Sequence, residues 1–428
     1  MASINKELSE LVSHNVISYQ TAKDIEDYYE SKKQPQGNLL LTVFGALGGI
    51  LVGLGIILIF AHNWDNFSQT VKIILALLPL FAFQGLTAYT IIKEKSSIWK
   101  DASGTLLFFA IGGAIALIAQ IYNIPGDLGS FLLTWTALGL PLVYILRSNA
   151  LAFIHIIFAT YYATEAGYFN PERPWYYLLF IAALLPFYLK QIKETPNSNS
   201  VSVFNWLLPL SGFIAIGGFI KETNEWSFSI LIYIAFACIL YNIGMLPYFR
   251  ERKMRRNGYL CLGLVGMMVL LLSTSFRWFW NEFAYDKYSV NILIAWGVLI
   301  LIGLFIAFKS KRGKYGINPF QAVTIVFPAI YLLGMIHNLI PVILINLLVL
   351  ALGIGCIKEG INKFDFRVLN FGMVLISALI ICRFFDTSGS FVIKGLLFVA
   401  VGVGFFLTNY ILIQKKKNNL INPANHEN

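Results

Sequence analysis

Few side chains in this 428-residue chain could do chemistry, and they stand at or near the ends of long apolar runs. In His62-Asn63-Trp64-Asp65-Asn66 an imidazole and a carboxylate could act as a base and its orienting group, or the segment could simply cap the next helix and anchor Trp64. Gln120-Ile121-Tyr122-Asn123-Ile124-Pro125-Gly126-Asp127 closes another run, and Trp135 lies inside the one that follows. An amide such as Gln120 at the end of an apolar helix needs a partner, so an interhelical hydrogen bond and a substrate contact are both open. His155 and Glu165 share a run, where an ionisable group is costly and a functional candidate by default. Glu165 is the stronger of the two, because a neutral histidine bonded to a backbone carbonyl is the commoner arrangement. Arg383-Phe384-Phe385-Asp386 sets a cation and an anion three residues apart on one helical face, as an ion pair or as a clamp for an anionic headgroup or carboxylate.

The elements that must position these groups are the runs themselves, at 39–61, 73–92, 105–122, 130–146, 150–168, 175–189, 203–220, 227–246, 259–275, 290–308, 319–335, 339–357, 368–385 and 391–413. About 20 apolar residues cross roughly 30 Å of hydrocarbon as a helix that satisfies its own backbone. With 57% apolar and 13% charged residues, the chain reads as an all-α polytopic transmembrane bundle of about 14 spans, an even number being firmer than fourteen itself.

Charge sets the orientation. Of the 32 Lys and Arg residues, 25 fall before the first run, after the last, or in alternate gaps, the densest being Arg250, Arg252, Lys253, Arg255 and Arg256. Positive-inside topology then puts both termini in the cytoplasm, and it accounts for the net charge of +10 without a nucleic-acid partner. Trp64, Trp175, Trp226, Trp278 and Trp280 fall where runs meet the opposite, outer interface. Asp65, Gln120, Glu165, Arg383 and Asp386 all lie at outer ends, which raises the expectation of one shared polar pocket opening outward.

Residues 1–38 read as a short cytoplasmic helical hairpin, with Leu8, Leu11 and Val12, then Ser18 as an N-cap, then Ala22, Ile25 and Tyr29. It is too small for a core of its own, so it packs on the membrane domain at 39–413 or on a protein partner. Residues 414–428 form a basic polar tail, and the polar start is the wrong order for a cleavable signal peptide. In the first run Gly45, Gly49 and Gly53 make a doubled GxxxG, a face for close helix contact. Cys238, Cys261, Cys356 and Cys382 show no ligand spacing, so neither a metal nor another cofactor is expected.

The hairpin from Leu8 through Ser18 to Tyr29, the glycine-rich first run leading into Asn63-Trp64-Asp65, and Ala119-Gln120-Ile121-Tyr122-Asn123 followed by Leu133-Thr134-Trp135 resemble the bacterial membrane proteins grouped as domain of unknown function 2157. This resemblance covers about the first 145 residues; Arg383-Phe384-Phe385-Asp386 with Asn409 and the basic tail is similar to the C-terminal pattern of the same and neighbouring families. The resemblance implies a bacterial cytoplasmic (inner) membrane protein and carries no established activity.

Three functions remain open: transport or binding of a small or lipid-like molecule through the outward pocket, an outer-face enzyme acting on a lipid-linked substrate, and a non-catalytic scaffold or sensor. A nearly charge-free interior argues against a buried proton relay, and no charged ring or filter sequence suggests a channel. The short first outer loop argues against an enzyme. The bilayer itself is the one partner that composition requires.

Overall fold

The computed structural model describes residues 8, 11–14, 16–31, 64–170, 173–220, 226–281, 290–310 and 318–386, with scattered positions between 392 and 414. The glycine-rich run at 39–61, His62 and Asn63 lie outside the described residues, as does the side chain of Trp226. All regular structure among the described residues is helical.

The chain divides into two compact units, Met1–Leu75 and Ala76–Asn428. In the first, a helical turn at 11–13 closes with the Val16 N–H donating to the Leu11 carbonyl at 2.9 Å. Ser18 then caps α1 (Tyr19–Ser31), its hydroxyl accepting from the Thr21 N–H at 3.1 Å. A 3-10 turn, Trp64–Asn66, precedes α2 (Gln69–Ile92), which starts in this unit and runs on into the next.

The second unit continues with α3 (Ser97–Ile121), α4 (Leu128–Leu146), α5 (Asn149–Thr164), α6 (Trp175–Glu194), α7 (Asn199–Gly218) and α8 (Trp226–Gly244). It closes with α9 (Gly258–Thr274), α10 (Val290–Ser310), α11 (Pro319–Gly334), α12 (Leu339–Lys363) and α13 (Phe366–Asp386). Eight of the described helices are long and apolar enough to span a bilayer, which makes this a membrane protein with several apolar helices. Three more apolar stretches are shorter, in α8, α9 and α11. At 1.5 Å per residue, α9 and α11 reach only about 25 Å, less than a full hydrocarbon thickness.

Of these three, α8 is enclosed by protein, whereas Val265 and Val269 of α9 and Ile325, Leu332 and Leu333 of α11 are exposed. Leu231, Ile232, Ala237 and Leu240 point to different sides of α8 and all are buried, because α7, α9, α10 and α11 enclose it. Here α8 is apolar all round, as a helix at the centre of a bundle must be. α5 holds the corresponding place among α3, α4, α6 and α7, with Ala152, Ile156, Ala159 and Ala163 fully buried. α12 and α13 approach closely at Gly353 and Gly372, where a Cβ on Gly372 would stand 2.6 Å from the Gly353 carbonyl oxygen.

Each described run has its helix, but several helices outlast their runs. α6 continues to Glu194 with Lys190 facing Glu194 at 3.6 Å, and α12 continues to Lys363, which pairs with Glu359 at 2.6 Å. An apolar run marks only the hydrocarbon stretch; i,i+4 pairs carry the helix on into water. Trp280 corrects the expected aromatic belt. Trp175 and Trp278 are about half exposed, whereas Trp280 is fully buried, its indole donating to the Thr274 carbonyl at 2.7 Å. The four cysteines are free, with Cys238 and Cys356 buried.

Candidate functional site

α13 ends in a polar assembly built around an ion pair. Arg383 Nη1 meets Asp386 Oδ2 at 2.5 Å, and the two side chains keep only 25% and 9% of their exposure. Nη2 donates to Ser275 Oγ at 3.1 Å, and the guanidinium lies over the Phe276 ring, 5.1 Å from its centroid. Asp386 Oδ2 also accepts from the Arg277 N–H at 3.4 Å.

Ser275, the C-cap of α9, joins this pair to α12. Its carbonyl accepts from Asn346 Nδ2 at 3.1 Å, and the same nitrogen donates to the Val342 carbonyl at 2.6 Å. Asn346 Oδ1 is buried with no hydrogen-bond partner. Leaving such an acceptor unmet costs about 1–3 kcal/mol, so it is either a stored expense or half of an interaction that a ligand completes. Sequence reading had singled out Arg383 and Asp386; Ser275 and Asn346 were missed. Asn346 gave a signal of the same kind as Gln120, an amide inside an apolar run.

Glu165 stands in a second assembly. α5 passes into a five-residue π turn, Glu165–Phe169, a geometry that recurs at functional sites. Gly167 makes it possible: its Cα packs on the backbone of Gly218 in α7, where a side chain would collide. Tyr168 fixes the turn by donating to the Ile214 carbonyl at 2.7 Å. Asn170 Nδ2 lies 3.4 Å from Glu165 Oε1, and a Cβ on Gly129 would lie 4.0 Å from Glu165 Cγ, so the side chain abuts the first turn of α4.

That first turn is capped by Asp127, which accepts from the Ser130 N–H and from the Ser130 hydroxyl, each at 2.8 Å. These two bonds hold its carboxyl below the ordinary carboxylate range. A depressed folded-state pKa contributes stability that is present above the unfolded value and lost as pH falls through the folded one. The protection factor of the Ser130 amide, its exchange rate relative to the intrinsic rate at the same pH, should therefore fall on acidification below the usual carboxyl range. In Asp127→Asn, which keeps an acceptor but cannot titrate, that pH dependence of protection should vanish; its persistence would show the cap is not responsible.

The remaining candidates have these local surroundings. Gln120 and Tyr122 are exposed at the end of α3, and no side-chain hydrogen bond of Gln120 is found among the described residues. Trp135 is a packing residue: its indole donates to the Phe108 carbonyl at 2.7 Å, and its ring lies 4.5 Å from that of Phe158 and 5.3 Å from that of Phe108. His155 is 1% exposed in the core of its bundle, edge-on to Phe180 at 5.5 Å. In the first unit Asp65 is exposed in its 3-10 turn, and Lys72 Nζ lies 5.7 Å from the Trp64 ring. Among the described residues, Arg383 and Asp386 are expected pocket residues found in direct contact with each other.

Sequence reading also passed over a buried amide cluster. Asn242 Nδ2 donates to the Gly303 carbonyl at 3.1 Å and to Thr324 Oγ1 at 3.2 Å, and Asn242 Oδ1 accepts from Gln321 Nε2 at 3.3 Å. Gln321 also belongs to the capping box with Asn318 that starts α11. The amide groups of Asn242 are satisfied within the protein, and the cluster ties α8, α10 and α11 together. Among the described residues no group of His, Cys, Asp and Glu could hold a metal ion.

No curated protein and no solved structure matches the chain. Residues 9–152 match the model of the family described as Predicted membrane protein (DUF2157), so the similarity covers the N-terminal third of the chain, and Glu165, Ser275, Asn346, Arg383 and Asp386 lie beyond the matched segment.

Proposed function

We propose that this protein binds, and passes across or along the membrane, a small or lipid-like molecule with an anionic group, taken at the Arg383 end of the bundle. One observation carries the reading: a mostly buried Arg383–Asp386 pair lies beside the unmet Asn346 Oδ1, and both are tied to Ser275. Charges withdrawn from water in a lipid-embedded bundle are costly, and packing alone is served as well by apolar residues. A phosphate or carboxylate can take the place of Asp386 on the guanidinium, while a hydroxyl or ammonium of the same ligand donates to Asn346. The basic residues gather at the other ends of these helices, which makes this end the outer one.

Binding of dioctanoyl phosphatidylglycerol to the full-length protein in detergent, with dioctanoyl phosphatidylcholine as the zwitterionic control, tests this. The anionic lipid should bind at least about tenfold more weakly to Arg383→Gln than to the wild type, the scale of a lost charge-assisted hydrogen bond. Equal binding to the two proteins would refute the proposal.

A further inference from the structure

The basic turn between α8 and α9 is pinned to its neighbours by its own cations. Arg252 Nη1 reaches the Pro196 carbonyl at 2.5 Å and Asn197 Oδ1 at 3.3 Å, while its guanidinium lies 4.3 Å from the Tyr248 ring centroid. Arg256 donates to the Asn197 carbonyl and, at 3.1 Å, to Asn199 Oδ1. Asn257 Nδ2 gathers the Gly244 and Phe249 carbonyls at 2.9 and 3.1 Å. Two of the five cations are thus spent in fastening the turn to the end of α6 and the start of α7.

The fastening also folds the turn back along the helices. The Trp206 indole, in the second turn of α7, donates to the Arg255 carbonyl at 2.9 Å, and Asn205 Nδ2 donates to the Arg256 carbonyl at 2.9 Å. The Arg255 backbone therefore lies beside the flank of α7, about two turns or 10 Å in from the start of that helix, with the residue itself exposed. Lys253 and Arg255 point outward on either side of Met254, which is 49% exposed, next to the half-exposed Trp206. Elsewhere on the same side Lys190 is paired with Glu194 and Lys363 with Glu359, whereas Lys253 and Arg255 have no ion-pair partner among the described residues.

We infer that Lys253, Met254 and Arg255, held beside Trp206, form a docking site for the headgroup of an anionic phospholipid in the leaflet that faces the basic loops. Two cations meet the phosphate, and Met254 and Trp206 meet the glycerol and upper acyl chain. Because the turn is already fixed, little conformational entropy is lost on binding. The site does not depend on the one at Arg383.

The test is native mass spectrometry of the full-length protein released from micelles holding equal amounts of phosphatidylglycerol and phosphatidylcholine. Lys253→Gln with Arg255→Gln should lower the preference for phosphatidylglycerol by roughly ten- to thirty-fold, the loss due to two juxtamembrane cations. The charge-matched pair Lys190→Gln with Lys363→Gln should leave it unchanged, and the swap Lys253→Arg with Arg255→Lys, which tolerates any folding defect of the first variant, should retain it. An equal loss in the control pair, no loss in the first pair, or displacement of the lipid by millimolar inorganic phosphate would overturn the inference.

Discussion

Asp386→Asn should bind an anionic ligand about tenfold more tightly than the wild type, opposite in sign to Arg383→Gln. In the unliganded protein the Asp386 carboxylate occupies Arg383 at 2.5 Å, and a ligand anion must displace it. The asparagine keeps the shape and one acceptor but gives up the charge, which leaves the guanidinium on Ser275 and the Phe276 ring. Both variants lose the ion pair, so both should be somewhat less stable, and only the binding sign separates them. A purely structural pair predicts two destabilised proteins with unchanged binding. Titration of the dioctanoyl lipid into each variant, alongside its unfolding midpoint, reads both quantities.

Asn242→Leu should cost about 2–4 kcal/mol of stability, measured as a shift of the denaturant midpoint in mixed micelles. The leucine has a similar volume and suits an apolar core, so size is not the cause. What is lost are the bonds to the Gly303 carbonyl, Thr324 and Gln321, all among groups that water cannot reach. Thr324→Val removes one of these partners and should cost less, near the 0.6 kcal/mol average for a single interhelical hydrogen bond in a membrane. A midpoint for Asn242→Leu equal to that of the wild type would mean the cluster does not hold α8, α10 and α11 together.

The helices were legible in the sequence because a membrane span announces itself by length and apolarity alone, without periodicity. Their ends were less so. α3 begins at Ser97, well before the apolar run at 105–122, since the stretch through Trp99 and Lys100 is helical but too polar to register. The π turn at Glu165 was invisible for a different reason: it arises from the meeting of Gly167 with Gly218, a contact between two helices that neither sequence segment declares.

The candidate site was half legible. Arg383 and Asp386 are three apart on one helix, so their pairing follows from local geometry. Ser275 and Asn346 come from α9 and α12, and only the packed bundle brings them to Arg383. Trp280 shows the opposite failure, since a tryptophan at a span end reads as an interfacial anchor until its indole is found buried on the Thr274 carbonyl. Trp135, which follows the Gln120 segment in sequence, locks α4 to α3 through its indole bond to the Phe108 carbonyl.

The most direct test of the central claim is a cryo-electron microscopy map of the full-length protein in nanodiscs containing phosphatidylglycerol. The account predicts headgroup density within hydrogen-bonding reach of both Arg383 and Asn346, with the Asp386 carboxylate turned away from the guanidinium. Arg383 still paired with Asp386, with only acyl chains against that end of the bundle, would contradict it.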